Sequence, residues 1–244
     1  MRTLVVLPTY EEAANIVDVL RRLHAAVPGA HVLVVDDGSP DGTAELAEAA
    51  NDEVGGVVQV LRRERKSGLG SAYRAGFRRG LKDGYEILVE MDADLSHDPA
   101  ALPQLLAAVE RDHADLAIGS RYVPGGEIPN WKWHRRALSR WGNRYASVVL
   151  GLPVKDATAG YRAYAANALD KIDLDDIHAD GYGFQIEMAY AVRRNGGTIE
   201  EIPITFKDRI RGTSKMSSRI VVEALVLVTW WAIRDRVLRR GRRP

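Results

Sequence analysis

The amino-acid sequence predicts an α/β fold, a mostly parallel sheet with helices on both faces. Two observations carry that expectation. Short apolar runs rich in β-branched residues alternate with amphipathic stretches of helical length through the first half of the chain, the pattern that βαβ units leave in a sequence. At 244 residues and 46% apolar content, the chain can also bury the core such a sheet needs.

Taken in order, Thr3–Leu7 reads as a buried strand and Glu11–Ala26 as a helix. His31–Val35 is the second strand, Asp41–Asn51 the second helix and Val57–Leu61 the third strand. Gly68–Gly80 reads as helix, Ile87–Met91 as strand, Pro99–Arg111 as helix and Asp115–Gly119 as strand. Right-handed crossovers would then place the C-terminal end of every strand on one edge, where ligands of such sheets bind. After Ser120 the alternation fades. Arg121–Lys132, rich in Gly and Pro, reads as a loop, Arg135–Leu150 as a helix and Gly160–Tyr164 as a short strand. Leu169–Gly181 holds five Asp and reads as a mobile surface loop. Phe184–Asn195 is a helix stopped by Gly196-Gly197, and Thr198–Phe206 is the last strand. No repeat or linker divides the chain. Residues 1–219 are expected to form the main body, with 220–244 an apolar helix and basic tail of the same domain.

Composition narrows the partners. Lys+Arg number 34 against 33 Asp+Glu, a net charge of +1, so nothing in the bulk charge argues for nucleic acid. The absence of cysteine excludes a disulfide scaffold, a zinc-thiolate site, an iron–sulfur cluster and a Cys nucleophile. The first apolar run stops at Pro8, too short for a signal peptide. Ile220–Ile233 would make a helix only ~21 Å long, against ~30 Å for a bilayer core, so no membrane span is expected.

The chemistry is read from where acidic residues fall. Asp36-Asp37 directly follows the second strand and Asp92-Ala93-Asp94 the fourth, so both should reach the same sheet edge. Two carboxylates one residue apart at a strand end can address a ribose or a hard cation such as Mg²⁺ or Mn²⁺, which takes oxygen ligands together with substrate phosphates. An isolated D-x-D is more often a solvated turn; behind a buried strand, beside a second acidic pair, functional use is the better reading. In the string Asp36-Asp37-Gly38-Ser39-Pro40-Asp41-Gly42-Thr43, Ser39 or Asp41 could cap the next helix. That leaves unexplained why two like charges sit side by side at Asp36 and Asp37. Pro8-Thr9-Tyr10-Glu11-Glu12 follows the first strand; Tyr10 can stack on a planar base, and Glu11 or Glu12 can accept from amide-type donors. Thr9 and Glu12 also have the spacing of a helix capping box. The G-x-G-x-x-G fingerprint, the Walker lysine motif and the G-x-S-x-G elbow are all missing.

Six landmarks in order give the chain a resemblance: Leu-Pro-Thr-Tyr-Glu-Glu (7–12), Val-Asp-Asp-Gly-Ser-Pro-Asp-Gly-Thr (35–43), Met-Asp-Ala-Asp-Leu-Ser-His-Asp-Pro (91–99), Gly-Ser-Arg-Tyr (119–122), Asp-Ala-Thr-Ala-Gly-Tyr-Arg (156–162) and Arg-Ile-Arg-Gly-Thr-Ser-Lys-Met (209–216). Over Leu4 to about Trp231 it resembles family-2 glycosyltransferases of the GT-A fold, a Rossmann-like nucleotide-diphospho-sugar transferase fold, and within them the dolichol- or polyprenol-phosphate mannosyltransferases. The resemblance implies that Pro8, Tyr10, Glu11 or Glu12 contact the base, and that Asp37 with Asp36 holds the base or ribose. Asp92, Ala93 and Asp94 would meet the sugar diphosphate and its metal. Some relatives have a glutamine ligand where this chain has Ser96, which leaves the third ligand open. Arg121, Arg135, Ser139 and Arg209 match positions assigned to phosphates or sugar, and Lys215 matches less closely. Arg209, Arg211 and Lys215 form a basic Gly- and Ser-containing stretch just before the apolar helix.

The function so implied is inverting transfer of mannose from GDP-mannose to a polyprenyl monophosphate, with Asp94, Asp92 and Arg209 carrying the chemistry. Arg121, Arg135, Ser139 and Arg211 would take the lipid phosphate. The apolar helix can be read as ordinary core; Trp230 and Trp231 beside an Arg-rich end also suit a helix lying in a membrane surface, hence a peripheral place on the cytoplasmic face. A separate membrane-anchor protein is kept as a further partner. The alternatives are a UDP-sugar donor (glucose or an amino sugar), or a non-catalytic subunit that binds nucleotide-sugar or lipid phosphate.

Overall fold

A computed structural model describes residues 1–208 and 224–234. The strands are β1 (Thr3–Thr9), β2 (His31–Asp36), β3 (Val58–Arg62), β4 (Ile87–Glu90), β5 (Leu116–Ser120), β6 (Arg162–Ala165) and β7 (Ile199–Pro203). The helices are α1 (Ile16–Ala26), α2 (Thr43–Ala49), α3 (Leu69–Lys82), α4 (Leu102–Glu110), α5 (Trp133–Leu150), α6 (Ala166–Leu169) and α7 (Gly181–Arg194). Among the described residues the strands form a seven-stranded sheet in the order β3-β2-β1-β4-β6-β5-β7. All neighbours run parallel except β6, which is antiparallel to both β4 and β5. The expectation that every strand would end on one edge therefore fails at β6. Its entrance, at Arg162, lies at the edge where the other strands finish.

Period-2 alternation divides the strand residues between two cores. Leu4, Val6, Leu33, Val35, Leu88 and Ile118 pack with α3, α5 and α7 on one face. Val5, Leu7, Val32, Val34, Ile87 and Val89 pack with α1, α2 and α4 on the other. The helix α3 approaches β1 closely: a Cβ on Gly76 would run into the Val6 side chain. Glycine at 76 is thus a packing requirement.

Several boundaries move for physical reasons. The first helix begins at Ile16 rather than Glu11, because Glu11 takes a left-handed φ of 60° that a helix cannot use. The expected capping box does not form: Thr9 donates to Asp36 (2.9 Å) and Glu12 accepts from Asn15 Nδ2 (2.8 Å). Leu169–Gly181, expected as a mobile surface loop, is anchored instead; Leu169, Ile172, Leu174, Ile177 and Ala179 are buried in the first core, and Asp180 accepts from the backbone N–H of Gly70 at 2.9 Å. The Asp residues drew attention away from the apolar residues spaced between them. Among the described residues of the C-terminal apolar helix, Val228, Trp231 and Ala232 join the same core. The boundary at 219 and the basic tail lie outside the described residues.

Candidate active site

The turn after β1 is built by the loop after β2. The backbone N–H groups of Glu11, Glu12 and Ala13 donate to Ser39 Oγ, Thr43 Oγ1 and Asp41 Oδ2, each at 3.0 Å. The string 36–43 is therefore a clamp that holds residues 10–13 at the sheet edge, Glu11 in its strained conformation included. Asp36 is the clamp's buried hub: it accepts from Ser39 N (2.9 Å), Ser39 Oγ (2.6 Å) and Thr9 Oγ1 (2.9 Å). This answers the puzzle of the adjacent carboxylates. Asp36 turns inward to the loop, while Asp37 pairs with Arg63 (3.2 Å) and accepts from Ser67 N (3.2 Å). Asp36 thus acts through the turn it holds, and Asp37 turns toward the segment after β3.

Arg63, Lys66 and Ser67 were not singled out from the sequence. They lie in the charged run after β3, which carries no motif. Strand adjacency is the signal that finds them, since the end of β3 abuts the end of β2. Lys66 Nζ lies 4.1 Å from the centroid of the Tyr10 ring, a cation over the aromatic face. Pro8, Tyr10, Glu12 and Asp37 with these residues line one end of the edge.

The end of β4 supplies the second acidic pair. Leu95 takes a left-handed φ of 63°, which folds the chain back so that Asp94 Oδ1 accepts from Ser96 N at 3.0 Å. Asp92 N donates to His97 Nδ1 (3.3 Å), and Tyr73 OH reaches Asp92 Oδ1 (3.4 Å). Ala93 and Asp94 are buried. Ser96 is 1% exposed, and its Oγ makes no hydrogen bond among the described residues. A buried hydroxyl without a partner is costly, and this one sits in the same tight turn as a carboxylate pair. Hard oxygen donors of this kind fit Mg²⁺ or Mn²⁺. Among the described residues no group of three or more His, Cys, Asp or Glu could hold a metal, so a cation held at this turn would need further oxygens, from Ser96, water or substrate, beside the two carboxylates.

Behind this turn, Glu90 and Arg162 face each other across β4 and β6, both fully buried. Arg162 donates to the carbonyls of Ala159, Gln185 and Ala157, each at 2.7 Å, which ties the entrance of β6 to α7. Burial pushes the Glu90 carboxyl up to about 7, against the pull of Arg162. Folded Glu90 holds its proton more tightly than unfolded Glu90, whose value is 4.5. Its stabilising contribution is therefore complete below pH 4.5 and lost as pH rises through about 7. Glu90→Gln is expected to flatten the fall in stability between about pH 5 and 8, read by urea unfolding across that range. An unchanged slope would remove Glu90 as its source.

A cavity lies beyond the acidic turn, reached through Trp131. An aromatic wall leads to it: His97 stacks on Tyr161 (5.1 Å), meets Phe206 edge-on (5.7 Å), and Phe206 meets Trp131 (6.0 Å). Arg135 lies over Trp131 at 3.9 Å and pairs with Asp208 at 3.1 Å. The cavity, about 670 Å³ with its open mouth, is lined mostly by apolar surface of α5, α7 and the C-terminal helix, with Arg121, Arg135 and Ser139 among its lining. Three residues expected to take a lipid phosphate are thus gathered at one pocket. Ser139 accepts from Tyr122 OH at 2.7 Å.

Arg121 is held differently from expectation. Its Nε and Nη2 donate to Asp156 at 2.7 and 2.6 Å, and Nη2 also reaches Thr158 at 2.8 Å. The pair is buried on both sides. Burial works against the charge, yet Asp156 holds the guanidinium above its usual range. Only Nη1 is left for a ligand. Asp156, Thr158, Trp131 and Phe206 had no assigned role in the sequence. Arg209, Arg211 and Lys215 lie outside the described residues, immediately beyond Asp208.

The sheet, with its two acidic turns at one edge, is the fold of a glycosyltransferase, and sequence comparison agrees. The model of Glycosyl transferase family 2 matches residues 4–173, and the chain belongs to that family. It is 50% identical over 236 residues to a polyprenol monophosphomannose synthase of Mycolicibacterium smegmatis, covering 97% of this chain and 89% of that one. It is 53% identical over 238 residues to an undecaprenyl-phosphate mannosyltransferase of Micrococcus luteus, covering 97% and 96%. A dolichol-phosphate mannosyltransferase of Pyrococcus furiosus is 33% identical over 98% of this chain and 67% of its own. In fold, the chain is similar to glucosyl-3-phosphoglycerate synthase of Mycobacterium tuberculosis, with a TM-score of 0.69 at 20% identity over 93% of this chain and 78% of that one. Other crystals of that enzyme hold UDP with Mg²⁺, or with Mn²⁺ and its product.

Proposed function

We propose that the chain transfers mannose from GDP-mannose to a polyprenyl monophosphate, with inversion, using Mg²⁺ or Mn²⁺. The observation that carries this reading is the apolar pocket with Arg135 and Ser139 at its lining, joined by one aromatic wall to the D-x-D turn. A lipid phosphate needs that combination, a cationic seat beside a greasy trough. The names of the relatives support the sugar and the lipid class.

A phosphate monoester is largely dianionic at pH 7, its second pKa being about 6. As nucleophile it needs no general base. The task of the protein is to bring it to a second set of phosphates. Asp37, Tyr10 and Glu12 would orient the nucleotide, and Asp92, Asp94 and Ser96 would hold the cation. When bound, that cation supplies charge stabilisation to the departing nucleoside diphosphate. Arg135 and the basic stretch containing Arg209, Arg211 and Lys215 would offset repulsion between the two phosphate groups. The acceptor oxygen forms a bond to the anomeric carbon as the bond to the diphosphate breaks, its electron pair leaving with GDP; a β-linked product results.

Among the described residues no helix is long and apolar enough to cross a membrane. Val226, Trp230 and Ile233 are exposed on the C-terminal helix while Val228 and Trp231 are buried. One face packs and the other can rest on a bilayer, in accord with a peripheral place on the cytoplasmic face. A membrane-anchor protein would reinforce that seating. The test is transfer of radiolabelled sugar into lipid extract from GDP-mannose or UDP-glucose, with Mg²⁺, Mn²⁺ or EDTA. Label from GDP-mannose alone, lost in EDTA, is expected. Label from the UDP-sugar would replace the donor, and no label despite nucleotide binding would favour a binding subunit.

A further inference from the structure

The helix α5 carries four Arg and no Asp or Glu over Trp133–Leu150. Its residues divide by helical position. Arg135, Ser139, Gly142 and Ala146 face the pocket already described. Leu138, Trp141 and Val148, spaced for one outward arc, are exposed at 52%, 53% and 72%, Leu138 also bordering the pocket. Arg136, Arg140 and Arg144 follow one another at i, i+4 and i+8 along the flank of that arc.

That basic row has a cavity of its own. A space of about 520 Å³ with its opening lies between α5 and the loop after β5, and its lining includes Arg136, Arg140, Tyr122 and Glu127. Arg136 Nη2 donates to the Ile128 carbonyl (2.9 Å), while its buried Nε has no hydrogen-bond partner. Arg140 rests over the Tyr122 ring at 5.4 Å. Neither Arg140 nor Arg144 pairs with a carboxylate among the described residues. Glu127, exposed at the rim, is the one opposing charge in the lining. Arg121 also lines the space, but its charge is met by Asp156. An exposed apolar arc flanked by unneutralised arginines, one with a free buried donor, suits a surface that is greasy and carries phosphate.

We propose that Arg136, Arg140 and Arg144 bind the phosphates of anionic phospholipids and so seat α5 on the bilayer alongside the acceptor pocket. The inference rests on the reading that the acceptor is a membrane lipid. Its consequence is geometric: a tail leaving the pocket between α5 and the C-terminal helix passes straight into the bilayer those elements lie on.

The full chain is mixed with vesicles of phosphatidylcholine alone, or with a share of phosphatidylglycerol, and bound protein is measured by flotation over a range of salt. Each basic side chain near an anionic surface is worth about fivefold in binding. Wild type is expected to prefer the phosphatidylglycerol vesicles, and Arg140→Gln with Arg144→Gln to lose about 25-fold of that preference. Arg136→Gln, made separately because Arg136 also holds the loop at Ile128, should weaken it further. Transfer onto a short-chain, detergent-dispersed acceptor should be unchanged in the double variant. Equal binding to both vesicles, or a double variant that keeps the preference, would overturn the proposal. So would competition by inorganic phosphate with no vesicle preference, the mark of a soluble-anion site. Failure of wild type in the detergent assay would count against the transfer reading alone, since flotation does not depend on turnover.

Discussion

Asp94→Asn is expected to lower transfer by at least about a thousandfold while leaving the fold intact. The amide keeps the oxygen that accepts from Ser96 N at 3.0 Å, so the turn forced by Leu95 is preserved and only the negative charge goes. What is lost is the hard, anionic ligand on which a divalent cation depends. Thermal unfolding should match wild type, and nucleotide-sugar affinity should lose its response to added Mg²⁺ or Mn²⁺. A variant that transfers sugar at a near-normal rate would remove Asp94 from the metal site. Ser96→Ala provides the graded companion: it takes away a hydroxyl that is buried without a partner, so any loss of activity reports on the cation rather than on stability.

Asp156→Ala is expected to be the most destabilising of the substitutions considered, by about 3–5 kcal/mol. It would strand the buried Arg121 guanidinium, two of whose nitrogens donate to Asp156. Arg121→Ala should cost a similar amount, and the double variant less than the sum, because removing both charges leaves none uncompensated. Urea unfolding of the three proteins measures this directly. Were Arg121 held chiefly for a substrate phosphate, Arg121→Ala would change KM and leave the unfolding midpoint in place.

The contrast between these two sites shows what the sequence could and could not reveal. The fold was legible because its central strands, buried on both faces, read as short continuous apolar runs, and because its helices are amphipathic on a period of 3.6 and pack one apolar face against the sheet. The acidic residues at strand ends were legible for the same reason, since strand position decides which edge they reach. Partner choice was not. Asp36 and Asp37 look equivalent in the sequence; one is consumed by Ser39 and Thr9, and the other faces Arg63. Arg121 reads as a ligand, and nothing in the sequence shows that Asp156, 35 positions later, accepts from two of its nitrogens. The five Asp of the 169–181 segment make it polar by composition, while the residues it buries recur singly between them at Leu169, Ile172, Leu174, Ile177 and Ala179. The reversal of β6 leaves no signature at all in a run of four residues, since the hydrophobic pattern of a buried strand is the same in either direction.

That reversed strand has a bearing on how such an enzyme can change. It is a seam: on one side, β3-β2-β1-β4 carries the base clamp and the acidic turn; on the other, β5 and β7 with the residues after them carry the pocket. The family match ends at residue 173, just past the seam. That match takes in the acidic strand ends and, across the seam, β5 and α5 with their side of the pocket. The elements α7, β7 and the C-terminal helix follow it, and α7 and the C-terminal helix complete the lining of the pocket. A new recipient for the same sugar could be accommodated there by exchanging those later segments, with the machinery that activates the sugar left untouched.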